Sequence, residues 1–196
     1  MPAAEASAEI VDLAVVGAGP AGLAGAVGAA DGGCRVTVLD LGERLGGQYW
    51  RHPAPALGGG PTAFHHGWRT YARLQGRFEA HRRAGRIDHL PGHAVWRLEH
   101  DGLITARALA DERHPRAGTV RARTALVATG AYDRHVPFRG WTLPGVMAVG
   151  GAQSLLKGSL MAPGRFFSST ASARPGGASA SSSWAARPRW WCPWPG

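Results

Sequence analysis

Residues 17–22 read Gly17-Ala18-Gly19-Pro20-Ala21-Gly22, a G-x-G-x-x-G turn. Taken alone, the pattern is weak in a chain with 29 glycines. Its surroundings give it force. A β-rich run, Ile10 to Val16, enters it, and a small-residue helix, Ala21 to Ala30, leaves it. A second strand, Arg35 to Asp40, then ends in an acid 18 residues beyond Gly22. Strand, glycine turn, helix and acid-terminated strand are the parts of a dinucleotide-binding βαβ unit. Each glycine has a mechanical task. Gly17 lets the chain turn tightly out of the strand, Gly19 lets a pyrophosphate approach the backbone, and Gly22 lets the helix pack on the sheet. The helix N-terminus offers free N–H groups and a positive dipole end to the phosphates. Asp40 can accept hydrogen bonds from a ribose diol and disfavours a 2′-phosphate.

Further along, residues 48–62 hold several Gly and Pro and read as loop. Phe64, Trp68, Tyr71, Leu74 and Phe78, spaced by three or four, predict an amphipathic helix over Ala63–Ala84, ended by Gly85. Short strands are expected at Ile87–Leu90, Ala94–Leu98, Ile104–Leu109 and Thr119–Ala122, then a last apolar strand at Ala125–Ala128. No internal repeat is visible.

The ligand of such a unit is NAD or FAD, and two features favour FAD. Arg44-Leu45-Gly46-Gly47-Gln48 puts a second glycine pair where it can reach the pyrophosphate side. Thr124-Ala125-Leu126-Val127-Ala128-Thr129-Gly130-Ala131 is a strand that can return to the first sheet and set a small, flat turn against the cofactor.

This combination resembles the flavoproteins with two dinucleotide-binding domains, the glutathione-reductase-like superfamily. Within it, Gly46-Gly47-Gln48-Tyr49-Trp50-Arg51 and Pro137-Phe138-Arg139-Gly140-Trp141-Thr142-Leu143-Pro144-Gly145-Val146 are similar to one group. That group is the FAD-binding subunit of opine oxidases and hydrogen cyanide synthase, related to the α subunit of sarcosine oxidase. The resemblance covers roughly residues 8–162. It implies an α/β fold: a Rossmann-like FAD-binding domain, residues 10–162, with a β meander inserted at about 86–123 and an incomplete second dinucleotide-binding domain. By position it assigns FAD contacts to Gly17, Gly19, Pro20, Ala21, Gly22, Asp40, Arg44, Gly47, Gln48, Val95, Thr129 and Gly130. The family more often has Glu where this chain has Asp40. The resemblance implies flavin-dependent oxidation of an amine or amino-acid-like small molecule. It also implies a partner, the second subunit of the oxidase, and NAD(P) only in an intact homologue. It singles out no proton-transfer catalyst. The other readings are an NAD(P)-binding oxidoreductase without flavin, and a non-enzymatic protein binding nucleic acid or a partner through its C-terminal tail.

The charge bears on that last reading. There are 22 basic and 13 acidic residues, a formal net charge of +9. All the basic residues but Lys157 are Arg, a bias that fits GC-rich coding better than a phosphate-binding surface. Four Arg and no acid lie beyond residue 162; without them +5 remains. No nucleic-acid partner is expected. The Arg-rich face of the Ala63–Ala84 helix reads as solvated, with docking of an acidic partner the minority alternative. No apolar run approaches 18 residues, so no membrane span is expected. The N-terminal nine residues read as flexible and lack a signal-peptide core. Cys34 and Cys192 form no Cys-x-x-Cys, which disfavours disulfide reductase chemistry and suits a reducing cytoplasm. The scattered histidines show no metal spacing.

Composition changes after about Pro163. Seven of the ten serines and four of the eight tryptophans fall in residues 163–196, with no surviving period. One expectation is a shift of reading frame near Gly164–Phe166. Back-translation in the shifted frame, with G or C at third positions, can give Leu-Leu-Val-Asp-Gly-Val-Gly-Pro, a strand entering a glycine turn. The other expectation is a disordered tail.

Overall fold

The computed structural model describes residues 10–54, 57, 65–108 and 117–162. The expectations for the nine N-terminal residues, for Phe64 and for the 163–196 segment lie outside them. The elements run β1 (Val11–Val16), α1 (Pro20–Asp31), β2 (Val36–Leu39), α2 (Trp68–Arg83), β3 (Ile87–Leu90), β4 (His93–Leu98), β5 (Leu103–Ala108), β6 (Ala117–Val127) and α3 (Val149–Ser159). The six strands form one sheet in the order β3-β2-β1-β6-β5-β4.

The first half of this order is parallel. β1 lies between β2, with Leu13 opposite Val36, and β6, with Val16 opposite Val127. Strands buried on both faces read as continuous apolar runs, and β1 shows why. Val15 packs with Leu23, Ala26 and Val27 of α1 and with Val36 and Val38 of β2. Ala14, pointing to the opposite face, joins Leu39, Ile104, Ala106 and Ala122. The small residues of α1 bring its backbone close to the sheet, and Tyr71 and Phe78 anchor α2 beside it; both are buried completely or nearly so.

Three expectations change. First, Ile87–Leu90 does not belong to the meander. It pairs parallel with β2, Val36 opposite Ile87 through Leu39 opposite Leu90, because the 16-residue α2 carries the chain back across the sheet. The inserted meander is β4, β5 and the first half of β6. Second, the two strands expected at 119–122 and 125–128 are one. Arg121 and Arg123 look like an interruption in the sequence, yet they stay in the strand by meeting Asp101 at 3.0 Å and Asp12 at 3.5 Å. β6 therefore pairs antiparallel with β5 through its first residues and parallel with β1 through its last, joining the meander to the parallel sheet. Third, α2 starts at Trp68, not Ala63, because Gly67 takes a left-handed conformation (φ 73°) that a helix does not continue through. α3 was not expected from sequence: its Gly150, Gly151 and Gly158 hide the helical period, and the amide of Gly150 is held by Asp133 Oδ2 at 2.9 Å.

Candidate dinucleotide site

The glycine turn sits where β1 ends and α1 begins. Gly17 donates to Leu39 O (2.8 Å) and Ala128 donates to Val16 O (2.8 Å), so the turn is tied to the ends of β2 and β6. Gly17 has φ +102°, and a Cβ there would lie 2.5 Å from Ala128 O. A Cβ on Gly22 would lie 1.8 Å from Gly17 O. Both glycines are required by protein contacts alone. Gly19 is different. As N-cap of α1 it has φ −70° and ψ −174°, a conformation open to any residue. A methyl group there would meet no atom of the described residues within 4 Å.

Three other segments close on this turn. The amide of Gly46 donates to Ala18 O at 2.8 Å, and a Cβ on Gly47 would lie 2.9 Å from Gly19 Cα. The second glycine pair thus lies directly on the first. Gln48 Nε2 reaches Ala131 O at 3.5 Å, joining this loop to the Thr129-Gly130 turn that follows β6. Arg44, an exposed residue, donates to His52 O at 2.6 Å and so holds its own loop. The first turn of α1 has no side-chain cap, and Pro20 at its start removes one amide that would need a partner. Ala21 is exposed on that turn.

Asp40 is half-buried past the end of β2. Burial pushes its carboxyl above the usual carboxylate range, opposed by the backbone N–H groups of Ala18 and Gly42 and by His89. The amide of His93, opening β4, donates to Asp40 O at 2.8 Å, which carries Val95 to this end of the site. Val95 packs partly buried with Ala14 and Leu39. All twelve positions marked from sequence therefore lie along the carboxyl ends of β1, β2 and β6 and the start of β4. This is the crevice where the chain leaves β1 to one side of the sheet and returns through β6 on the other. Ligands of open α/β sheets bind there. Sequence reasoning missed the carbonyls of Val16, Ala18 and Ala131, which accept these hydrogen bonds; backbone groups leave no signal in residue type.

Beneath the site, Tyr71 donates to Leu45 O at 3.3 Å, and burial pushes its phenol up to about 12. His89 packs edge-on against Phe78 at 5.5 Å. Burial holds its imidazole below the ordinary range, against the pull of Asp40 and Glu79. An unfolded chain takes up this proton near pH 6.5, and the fold takes it up only at lower pH. Stability is full above about pH 6.5 and falls as pH drops from there toward the folded value. The unfolding temperature should decline as pH falls below about 6.5, and decline less in His89→Phe. Parallel declines in the two proteins would refute this.

Comparison with known proteins defines the class. Residues 11–160 match the pyridine nucleotide-disulphide oxidoreductase family. The chain belongs to that family, whose members are oxidoreductases and whose cofactor is FAD, with NAD(P) in related members. It is 36% identical over 154 residues to an opine oxidase subunit of Rhizobium meliloti (strain 1021), covering 78% of this chain and 31% of that protein. It is 35% identical over 152 residues to hydrogen cyanide synthase subunit HcnB of Pseudomonas protegens, covering 76% and 30%. Among solved structures, L-proline dehydrogenase from P. horikoshii shares the fold, with a TM-score of 0.59, 20% identity, and coverage of 80% of this chain and 30% of that one. The chain spans about a third of the length of the curated relatives it matches. Among the described residues, no helix is long and apolar enough to cross a membrane.

Proposed function

We propose that this chain is the FAD-binding part of an oxidase that acts on an amine or amino-acid-like substrate together with a second subunit. The single observation that carries the reading is Gly19. It is a glycine for which packing among the described residues gives no reason, at a helix N-terminus, with a second glycine turn laid on it. A cradle that protein atoms leave open but a Cβ would fill fits a pyrophosphate.

In this reading Gly17, Gly19, Pro20, Ala21 and Gly22 form the phosphate turn, and Gly47 keeps the opposing backbone close. Asp40 accepts from the adenosine ribose, and Val95 borders the adenine end. Arg44 and Gln48 hold the second loop, and Thr129-Gly130 forms the flat wall after β6. When bound, FAD supplies the electron sink for oxidation of a substrate C–H bond. The residues here bind and orient it. Residues 10–162 form the cofactor unit. Two observations support the partner subunit: the curated relatives are named as subunits, and Tyr132, Val136, Phe138 and Leu143 expose 60–82% of their surface after β6.

The test is the visible spectrum of the purified chain after FAD is added and excess removed. Retained flavin bands with quenched flavin fluorescence are expected, without substrate-dependent bleaching in the chain alone. Absence of flavin binding, with NAD(P) bound instead, would overturn the reading.

A further inference from the structure

α2 carries five arginines against one acid, Glu79. Three of the five serve the fold. Arg82 donates from Nε to Glu79 Oε2 at 2.8 Å, and Arg83 from Nε to Glu79 O at 3.2 Å. Both sit in the last turn, where the helix dipole favours a cation. Arg77 ties α2 to α1 through Asp31, whose other oxygen meets His81 Nε2 at 2.9 Å.

Arg69 and Arg73 have no such role. Both are exposed, and neither has a hydrogen-bond or ion-pair partner among the described residues. Arg69 is the second residue of α2, at the positive end of the dipole, where a cation is unfavourable. The first turn holds no acid, and Gly67 at the N-cap offers no side chain. Arg69, Arg73 and Arg77 recur at every fourth position, so they form one row about 12 Å long. Like charges at that spacing destabilise a helix. The row lines a surface groove of about 320 Å³ together with Thr70 and Leu74. Leu74 is partly buried against the core. The row thus costs α2 stability, and an opposite charge laid along it removes the cost.

We propose that the row of Arg69, Arg73 and Arg77 is a docking surface, and that its occupant is an acidic helix of a partner protein with carboxylates at the same four-residue spacing. Each arginine fork suits a carboxylate, and a helix laid alongside α2 repeats with the same rise. Nucleic acid fits less well. The groove has no aromatic side chain on which a base could stack, and the Asp31 carboxylate sits at its Arg77 end. The proposal goes beyond the cofactor reading and holds with or without FAD.

The test is fluorescence anisotropy of a labelled peptide of repeated Glu-Ala-Ala-Ala units, titrated with the full chain at low and at physiological salt. Saturable binding that weakens as salt rises is expected. It should weaken at least about tenfold in Arg69→Glu/Arg73→Glu, where two attractive pairs become repulsive. Arg134→Glu/Arg139→Glu makes the same change in net charge at two exposed arginines outside α2. It should alter the affinity by less than about twofold, since distant exposed charges are screened. Arg69→Glu/Arg73→Glu should also melt no lower than the parent chain, because an acid at the start of α2 agrees with its dipole. The proposal is overturned if the peptide does not bind, or if the two double variants bind it alike. It is also overturned if Arg69→Glu/Arg73→Glu lowers the unfolding temperature, which returns these arginines to the fold. A parallel titration with duplex DNA gives the last outcome: an equal loss of DNA affinity in Arg69→Glu/Arg73→Glu would assign the row to nucleic acid and overturn the proposal.

Discussion

Gly22→Ala lowers the unfolding temperature by roughly 6–12 °C in thermal melts of the full chain, as an overpacking cost near the top of the roughly 1–3 kcal/mol range implies. The added methyl would stand 1.8 Å from Gly17 O and 3.2 Å from a Val15 methyl. The nearest obstacle is backbone, so no rotamer change relieves it. Either α1 lifts from the sheet or the turn opens. Both break the packing of Leu23, Ala26 and Val27 on Val15, Val36 and Val38. Against a total stability of about 5–15 kcal/mol this is a large fraction. Gly28→Ala is the control. It lies in the same helix, is exposed, and a methyl there meets no described atom within 4 Å. It should stabilise by about 0.5–1 kcal/mol, the ordinary helix preference of Ala over Gly. Similar melts for the two variants would refute the account of Gly22.

Gly19→Thr should leave the melt of the ligand-free chain within about 0.5 kcal/mol, as expected where no contact is disturbed, and weaken FAD binding about 10- to 100-fold. Thr matches Gly as an N-cap, and the backbone at residue 19 suits a β-branched side chain (φ −70°, ψ −174°). No atom of the described residues within 4 Å obstructs its Cβ. The added atoms stand instead in the space assigned to the pyrophosphate. An overpacking cost of roughly 1–3 kcal/mol then falls on the complex alone, which is the stated loss of affinity. Fluorescence titration with FAD measures it. Unchanged affinity in a folded Gly19→Thr protein would remove the main support for the cofactor reading. Gly22 and Gly19 thus separate two reasons for glycine in one motif: contact with the protein, and space kept for something else.

Much of the α/β architecture was legible in the chain because its signals are local. The β-rich run Ile10 to Val16, the glycine turn and Asp40 placed the first βαβ unit without any contact information. The apolar positions of α2 were legible for the same reason, since Tyr71 and Phe78 recur at helical spacing. The start of α2 was not, because Gly67 breaks the helix through a backbone angle that residue type permits but does not dictate. Nor was the continuity of β6, where Arg121 and Arg123 remain in the strand through partners about 20 and 110 residues away. β3 was legible as a strand but misassigned to the meander, since strand partners depend on where α2 delivers the chain.

The twelve proposed cofactor positions divide the same way. The order of residues alone identified Gly17, Gly19, Gly22 and Asp40, because strand, turn and helix must follow one another for the motif to exist at all. That Gly47 lies on Gly19, that Gln48 reaches the turn after β6, and that His93 brings Val95 toward Asp40 were decided by tertiary structure. Apart from the Gln48 side-chain amide, the groups in those contacts belong to the backbone. Every residue carries the same ones, so only the folded path of the chain selects which of them meet.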